Sequence, residues 1–264
     1  MSYPAEFYEK YMVPGLFAPW ASYLVQYANA HPGERVLDVA CGTGIVARHI
    51  APRLGSQGRV TGLDLNPDMI NVGRAATERE RLAIEWRVGT AEELQFPDGS
   101  FDLVVCQFGL MFFTDRHKAL TEMHRVLRAG GRVVVSVWQG LDRHPFYQTL
   151  HEVSWRHLGK SSVQAVYSLG DSDELRRLLI EAGFQHVEIE PASMTARFSN
   201  PEAFLAWEID VDPAETPALQ HLDATAQQEI LAAVRQDMLA ALHAGMQDGQ
   251  VVLEYHAHIA HARR

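Results

Sequence analysis

From residue 35 to about residue 138 the chain alternates short apolar bursts with segments that repeat their apolar positions every three to four residues. The bursts are RVLDVA (35–40), RVTGLDL (59–65), AIEWRV (83–88), FDLVVCQ (101–107) and RVVVSVW (132–138). Several are nearly unbroken Val/Leu runs, the pattern of strands covered on both faces in a parallel sheet. The intervening segments predict helices. One runs from Thr43 to Leu54 and a second from Pro67 to Thr77, with Asn66 as N-cap and Pro67 at the first helical position. A third spans Asp115 to Leu127, and RAGG (128–131) is expected to stop it. Strands alternating with helices at this spacing predict a doubly wound, mostly parallel α/β sheet, with the loops after the strands gathered along one edge.

The flanks read differently. Residues 1–30 predict a helical, aromatic-rich lid carrying Tyr3, Phe7, Tyr8, Tyr11, Phe17, Trp20, Tyr23 and Tyr27. Residues 31–138 are expected to form the α/β core, and 139–264 the remainder of the same domain. In that remainder helices are expected from about Pro145 to Leu158 and over Asp171–Ala182, with Gly183 as the stop. Strands follow at HVEIE (186–190) and SMTARFS (193–199), and the chain closes on QVVLEYHAHIAHA (250–262). Residues 200–247 read as helical, interrupted by Pro213 and Pro217. They separate what would otherwise be a strand pair, so they are expected to be an insertion over the acceptor side of the site.

Charge narrows the partners. Lys and Arg number 23 against 33 Asp and Glu, a net charge of −10, which argues against a nucleic-acid backbone as the principal ligand. No run of 18 apolar residues offers a membrane span. The N-terminus lacks the basic start and apolar run of a secretory signal, so a cytoplasmic location is expected. Cys41 and Cys106 have no metal-ligand spacing.

The first strand leads into a glycine loop, VLDVACGTGIVARHI (36–50). Gly42-x-Gly44-x-x-Ala47 fits the dinucleotide fingerprint, and Asp64 lies 20 residues beyond Gly44, at the end of the second strand, where a carboxylate can accept from ribose hydroxyls. Alone, these residues favour a nicotinamide cofactor and an oxidoreductase. Asp38 points elsewhere. A carboxylate at the tip of the first strand, aimed into the crevice, would repel a pyrophosphate by several kcal/mol at an effective dielectric of about 20. It would favour a cationic, phosphate-free adenosine ligand such as S-adenosylmethionine, whose carboxylate the loop amides can receive.

Together, VLDVACGTG (36–44), LDLNPDMI (63–70), VGTAEELQFPDGSFDLVVCQ (88–107) and MHRVLRAGGRVVVSVW (123–138) resemble the successive motifs of class I S-adenosylmethionine-dependent methyltransferases, in particular the ubiquinone/menaquinone-biosynthesis-like, small-molecule group. The resemblance covers about residues 35–138. It implies a Rossmann-like, seven-stranded sheet, S-adenosylmethionine as cofactor, and a set of roles. Asp38 would sit near the methionine moiety. Ala40, Gly42 and Gly44 would let backbone approach the ligand, Asp64 would hold the ribose diol, and Leu65 and Met69 would pack on adenine. Thr90 stands where the family usually has Asp. Its hydroxyl or Glu92 would then accept from the adenine amine while the Ala91 N–H reads the ring. Gln107 would offer its backbone carbonyl to the ammonium.

The fourth strand is followed by CQFGL (106–110), without the N-P-P-Y or D-P-P-Y run that methyltransferases of nucleic-acid amines resemble. A small-molecule acceptor is therefore expected. Aligning the reactants supplies most of the acceleration, roughly 7–11 kcal/mol in favourable cases. An aromatic-lined cavity suits a sulfonium, with Phe108, Phe112, Phe113 and the N-terminal aromatics available to form it. A hydroxyl or acidic-carbon acceptor also needs a general base, for which His144, in the loop after the fifth strand, is the candidate by location. Glu254, His256 and His258 share one face of the last strand. They are read as an ordinary polar face and no metal is expected, because transfer from a sulfonium needs none. A binder of the cofactor that transfers no methyl group remains open at this level, since fold does not fix function.

Overall fold

The computed structural model describes residues 5–159, 161, 163–209, 219 and 221–264; Tyr3, Pro213 and Pro217 lie outside them. A helical segment opens the chain: α1 (Ala5–Phe7), a π-helical stretch over Tyr8–Phe17, and α2 (Ala18–Ala28). The core then alternates β1 (Arg35–Val39), α3 (Ile45–Ile50), β2 (Arg59–Asp64), α4 (Pro67–Glu80), β3 (Glu85–Val88), β4 (Phe101–Gln107), α5 (Arg116–Val126) and β5 (Leu127–Trp138). The rest comprises α6 (Pro145–Leu158), α7 (Val163–Val166), α8 (Ser172–Glu181), β6 (Gln185–Phe198), α9 (Pro201–Ile209), α10 (Ala224–Ala244), β7 (Met246–Gln247) and β8 (Gln250–Arg263).

The strands form one sheet in the order β3-β2-β1-β4-β5-β8-β6, with the two-residue β7 hairpinned onto β8. The first five run parallel and β8 runs antiparallel to both neighbours. Winding reverses between β1 and β4. Their C-terminal tips therefore diverge into a crevice, the place where open α/β sheets hold ligands. Val36, Leu37 and Val39 of β1 and Leu103 to Cys106 of β4 are wholly buried, which is why those strands read as continuous apolar runs. The edge strand β3 is largely exposed.

Local chemistry sets most boundaries. Asn66, Asp115 and Asp171 cap their helices by accepting from the N–H groups of Asp68, Lys118 and Asp173, each at 2.8–2.9 Å. Three expectations are corrected. The helix after the glycine loop begins at Ile45 rather than Thr43, because Gly44 is left-handed (φ +78°), and it tightens into a 3₁₀ turn at Ala51–Arg53, where Pro52 lacks an amide. RAGG (128–131) is not a stop after a helix. Leu127 is already extended, and the residues belong to β5, opposite a register shift between Phe101 and Leu103. The two expected strands at 186–199 are one continuous β6, since β8 offers it a long paired edge. The segment between β6 and β8 does interrupt an antiparallel pair, with α10 lying along α6.

One packing feature fixes the glycine loop. The indole of Trp86, on β3, fills a slot beneath α3 and α4. A Cβ on Gly44, Gly62 or Gly73 would come within 2.2, 3.0 and 2.7 Å of its ring. At Gly73 the added methyl would also meet the Thr43 carbonyl at 2.8 Å, and backbone cannot yield as a side chain can. Gly73→Ala in a helix interior ordinarily gains up to about 1 kcal/mol. Here it is expected to cost about 1–3 kcal/mol through overpacking. Urea denaturation checks the sign, and a midpoint unchanged or raised refutes the slot.

Candidate functional site

The crevice is built from strained backbone. Ala40, Gly42 and Gly44 follow β1 in left-handed conformation (φ +54°, +56° and +78°), and Phe108 turns the chain the same way after β4 (φ +52°). A Cβ on Gly109 would lie 2.6 Å from that of Ala40, so the two tips are in close approach. Non-glycine residues held in this region cost about 1–3 kcal/mol and cluster at functional sites.

Asp64 ties the loop to β2. Its Oδ2 accepts from the Gly42 N–H at 2.7 Å and its Oδ1 from the Asn66 N–H at 2.9 Å. Burial nevertheless raises its pKa. Leu65, 71% exposed, stands at the mouth, with Met69 half-buried one helical turn on. Across the crevice Ala91 is buried. The Thr90 hydroxyl donates to the Glu92 carboxylate, whose other oxygen accepts from the Thr114 N–H at 3.1 Å. Burial opposes ionisation of Glu92, but those hydrogen bonds outweigh it and hold the carboxyl below its ordinary value. At the tip of β4, Gln107 donates from Nε2 to the Phe17 carbonyl at 3.2 Å, while its Oε1 is buried without a partner.

The N-terminal segment closes over this loop. The Tyr8 hydroxyl lies 3.6 Å from where a Gly42 Cβ would stand. The Tyr8 ring packs on Phe17 (centroids 5.0 Å apart) and Trp207 (5.9 Å), and Phe7 stacks on Trp207 at 5.6 Å. Glu9 latches the segment down. It accepts from the Thr43 hydroxyl at 2.6 Å and from Arg48 at 2.7 Å, and Arg48 also grips Glu80. No sequence pattern pairs Glu9 with residues 34 and 39 positions away. The lid itself was legible only as an aromatic run.

Two expected roles are corrected. Asp38 does not present an open carboxylate to the crevice. It is 1% exposed, its Oδ2 accepts from the Ala47 N–H of α3 at 3.0 Å, and its Oδ1 is buried and unpartnered. Burial pushes its pKa up to about 8, and the neighbouring Asp64 adds to the shift. A group so protonated at neutral pH is not the standing negative charge that would repel a pyrophosphate. His144 is not an exposed loop base. It precedes α6, 2% exposed, with Nδ1 donating to the Gly140 carbonyl at 3.1 Å and Nε2 accepting from the His256 N–H at 3.0 Å. Both nitrogens are committed to backbone, and burial lowers its pKa to about 4. The ring is a clasp between the β5–α6 loop and β8.

Beyond the lid, aromatic rings continue inward from the strand tips. Phe108 stacks on Trp138 at 3.6 Å, and Trp138 packs on Tyr255 at 5.3 Å. Phe112 instead faces outward, 60% exposed, while Phe113 is partly buried against the core. The Tyr147 hydroxyl donates to Glu208 at 2.9 Å and meets the Tyr255 hydroxyl at 2.6 Å. Because Tyr147 gives its one proton to Glu208, Tyr255 is the donor in the second contact. Burial pushes Glu208 up to about 7 and holds both phenols well above their ordinary values. This cluster brings together α6, α9 and β8, and no motif spacing announces it. In the last strand His258 bonds the Gly170 carbonyl at 3.0 Å, and among the described residues no three His, Cys, Asp or Glu gather as metal ligands.

The Asp38 geometry yields a sharp expectation. Asp38→Asn keeps an acceptor for Ala47 and folds near wild-type stability. Asp38→Ala strands that amide and costs about 1–3 kcal/mol. Thermal denaturation of the two variants checks this, and equal losses would refute the anchoring role.

The loop fits S-adenosylmethionine. A left-handed glycine turn at Gly42 and Gly44, an acid at the end of β2 and an orphaned amide oxygen at Gln107 suit a ligand that carries a carboxylate, a ribose and an ammonium. The chain matches the ubiE/COQ5 methyltransferase family over residues 9–152. It is 35% identical over 191 residues to the ubiquinone/menaquinone biosynthesis C-methyltransferase UbiE of Laribacter hongkongensis, covering 67% of this chain and 78% of that protein. To the same enzyme of Hydrogenovibrio crunogenus it is 31% identical, covering 66% and 74%. Its fold is shared by a SAM-dependent methyltransferase structure from Aquifex aeolicus, with a TM-score of 0.57 at 19% identity, covering 71% of this chain and 91% of that one. Among the described residues no helix is long and apolar enough to cross a membrane. The nicotinamide alternative is thereby set aside, and the chain belongs to the ubiE/COQ5 family of S-adenosylmethionine-dependent methyltransferases.

Proposed function

We propose that the protein methylates a ring carbon of a small, hydroxylated aromatic acceptor, of the hydroquinone type. The observation that carries this reading is the aromatic wall from Phe108 through Trp138 to Tyr255, which ends on the hydroxyls of Tyr147 and Tyr255 and on the Glu208 carboxylate. Such a wall suits a flat apolar ring, and its polar end suits a ring hydroxyl. The names of the relatives, ubiquinone/menaquinone biosynthesis C-methyltransferases, support carbon as the site of transfer.

When bound, S-adenosylmethionine supplies an activated methyl group on a good leaving group. The residues of the chain then have to hold, orient and dehydrate. Asp64 would exchange its Gly42 contact for the ribose diol. Leu65 and Met69 would cover the adenine, the Ala91 N–H would read its ring, and Thr90 with Glu92 would accept from its amine. The unpartnered Oε1 of Gln107 would face the methionine ammonium, and a cation arriving there would draw Asp38, buried beneath the loop, back toward ionisation. Tyr8, Phe17 and Trp207 would keep water out. Helices α9 and α10 would cover the acceptor, placing its selection in a part of the chain that the family match over residues 9–152 does not reach.

Incubation with S-adenosylmethionine and a panel of phenols, hydroquinones and amines, with products read by NMR, is expected to give a carbon-bound methyl on a hydroxylated ring. Methylation confined to oxygen or nitrogen, or no product from any hydroxylated ring, overturns the reading. Asp64→Asn is expected to weaken S-adenosylmethionine binding about 10- to 150-fold by calorimetry, the equivalent of one charge-assisted hydrogen bond of about 1.5–3 kcal/mol.

A further inference from the structure

We propose that Glu208 is the proton acceptor of the reaction, taking the proton of the acceptor's ring hydroxyl while Tyr147 and Tyr255 fix its carboxylate. The inference rests on the hydroxylated acceptor proposed above. It replaces His144, whose two nitrogens are both spent on backbone.

Position is the first argument. Glu208 follows Trp207, whose ring lies against Tyr8, and Tyr8 covers Gly42 of the cofactor loop. From the same turn of α9, Glu208 accepts from Tyr147 at 2.9 Å, and Tyr147 meets Tyr255 at 2.6 Å. Tyr255 in turn packs on Trp138, and Trp138 on Phe108 at the tip of β4. The carboxylate thus stands between the lid that closes the cofactor site and the aromatic wall that leads away from it.

Chemistry is the second argument. A carboxylate in apolar surroundings is costly unless it is paired with a cation or takes up a proton. The ionisable groups that face Glu208 among the described residues are Tyr147 from α6, Tyr167 from the turn after α7 and Tyr255 from β8, and burial keeps all three phenols neutral. No described cation or second carboxylate contributes to its environment. Burial raises its pKa to about 7, opposed by the Tyr147 hydrogen bond. A base with a pKa near the working pH is the efficient kind.

The proton balance is simple. The O–H bond of the ring hydroxyl breaks, its proton goes to Glu208, and the electron pair stays on oxygen, enriching the ortho carbon that forms the new C–CH₃ bond; the S–CH₃ bond of the methyl donor would break in the same step, its electron pair staying on sulfur. The oxygen regains its proton from Glu208, and the freed carboxylate takes the hydrogen of that carbon as a proton and passes it to solvent. Each turnover releases one proton net.

Two measurements test the proposal. In the first, infrared difference titration follows the full chain between pH 5.5 and 8.5 with no methyl donor present. A protonated-carboxyl band that disappears near pH 7 in wild type and is absent from Glu208→Gln is expected. Methoxyhydroquinone should move its midpoint. In the second, Glu208→Gln is expected to lower kcat about 100-fold with little change in KM and to abolish the fall in rate below about pH 7. Tyr147→Phe removes the hydrogen bond that lowers the pKa of Glu208, so the acid limb should move to higher pH, a shift that a purely structural role would not cause. An infrared midpoint that methoxyhydroquinone leaves unmoved overturns the proposal. So does Glu208→Gln turnover within twofold of wild type, or an acid limb in Tyr147→Phe that stays in place. Carbon methylation by Glu208→Gln within twofold of the wild-type rate would sink Glu208 and leave the proposed function standing. A wild-type chain that methylates no hydroxylated ring would sink the function, and the infrared midpoint would still decide whether such a ring sits on Glu208.

Discussion

The indole of Trp86 needs a slot, and three glycines from three different elements leave it one. Gly62 opens the face of β2, Gly73 opens α4, and Gly44 opens the turn into α3. With the slot filled, α3 and α4 sit close against the sheet, and the loop from Ala40 to Gly44 has only a tight left-handed path between β1 and α3. That path sets the Gly42 amide on the Asp64 carboxylate, beside the crevice between the diverging tips of β1 and β4. The crevice is useful because the loop is held there. A side chain at any of the three glycines would push helix from sheet and pull the amides out of line.

Burial is the common cause behind the electrostatics of the site. Asp38, Asp64 and Glu208 are all raised, with desolvation as the leading cause in each. Their partners differ. Asp38 is bound to one helix amide, Asp64 to two backbone amides, and Glu208 to a phenol. Without the ligand, these acids sit in a low dielectric with little positive charge near them. A cationic ligand suits such a place, since its arrival stabilises carboxylates that burial otherwise disfavours. The favoured charge is that of the sequence argument, although Asp38, buried beneath the loop, is not its open source.

The lid and the insertion meet over the crevice through aromatic contact and charge. Phe7 and Tyr8 reach Trp207, and Glu9 bonds Thr43 and Arg48 at the glycine loop. The first helical segment therefore touches both the cofactor loop and the element bearing Glu208. Pro14 sits within the π-helical stretch of that segment, and π-helical irregularity of this kind accompanies functional sites.

The sequence alone carried the sheet, its parallel core and the Asn66 cap, because alternation, apolar runs and Asn-Pro before a helix are local signals whose meaning does not depend on distant partners. It also located the glycine loop and Asp64, whose spacing is dictated by one strand–helix–strand unit. It could not say which way Asp38 turns, since a strand tip offers both the crevice and the helix amides, and only the seating of α3 decides between them. It misjudged His144, because a histidine in a loop looks exposed until β8 brings the His256 amide to its ring. The cluster of Tyr147, Glu208 and Tyr255 was invisible for the same reason. Its members lie 61 and 47 positions apart and meet only because β8 returns antiparallel beside β5 while α6 and α9 pack over it.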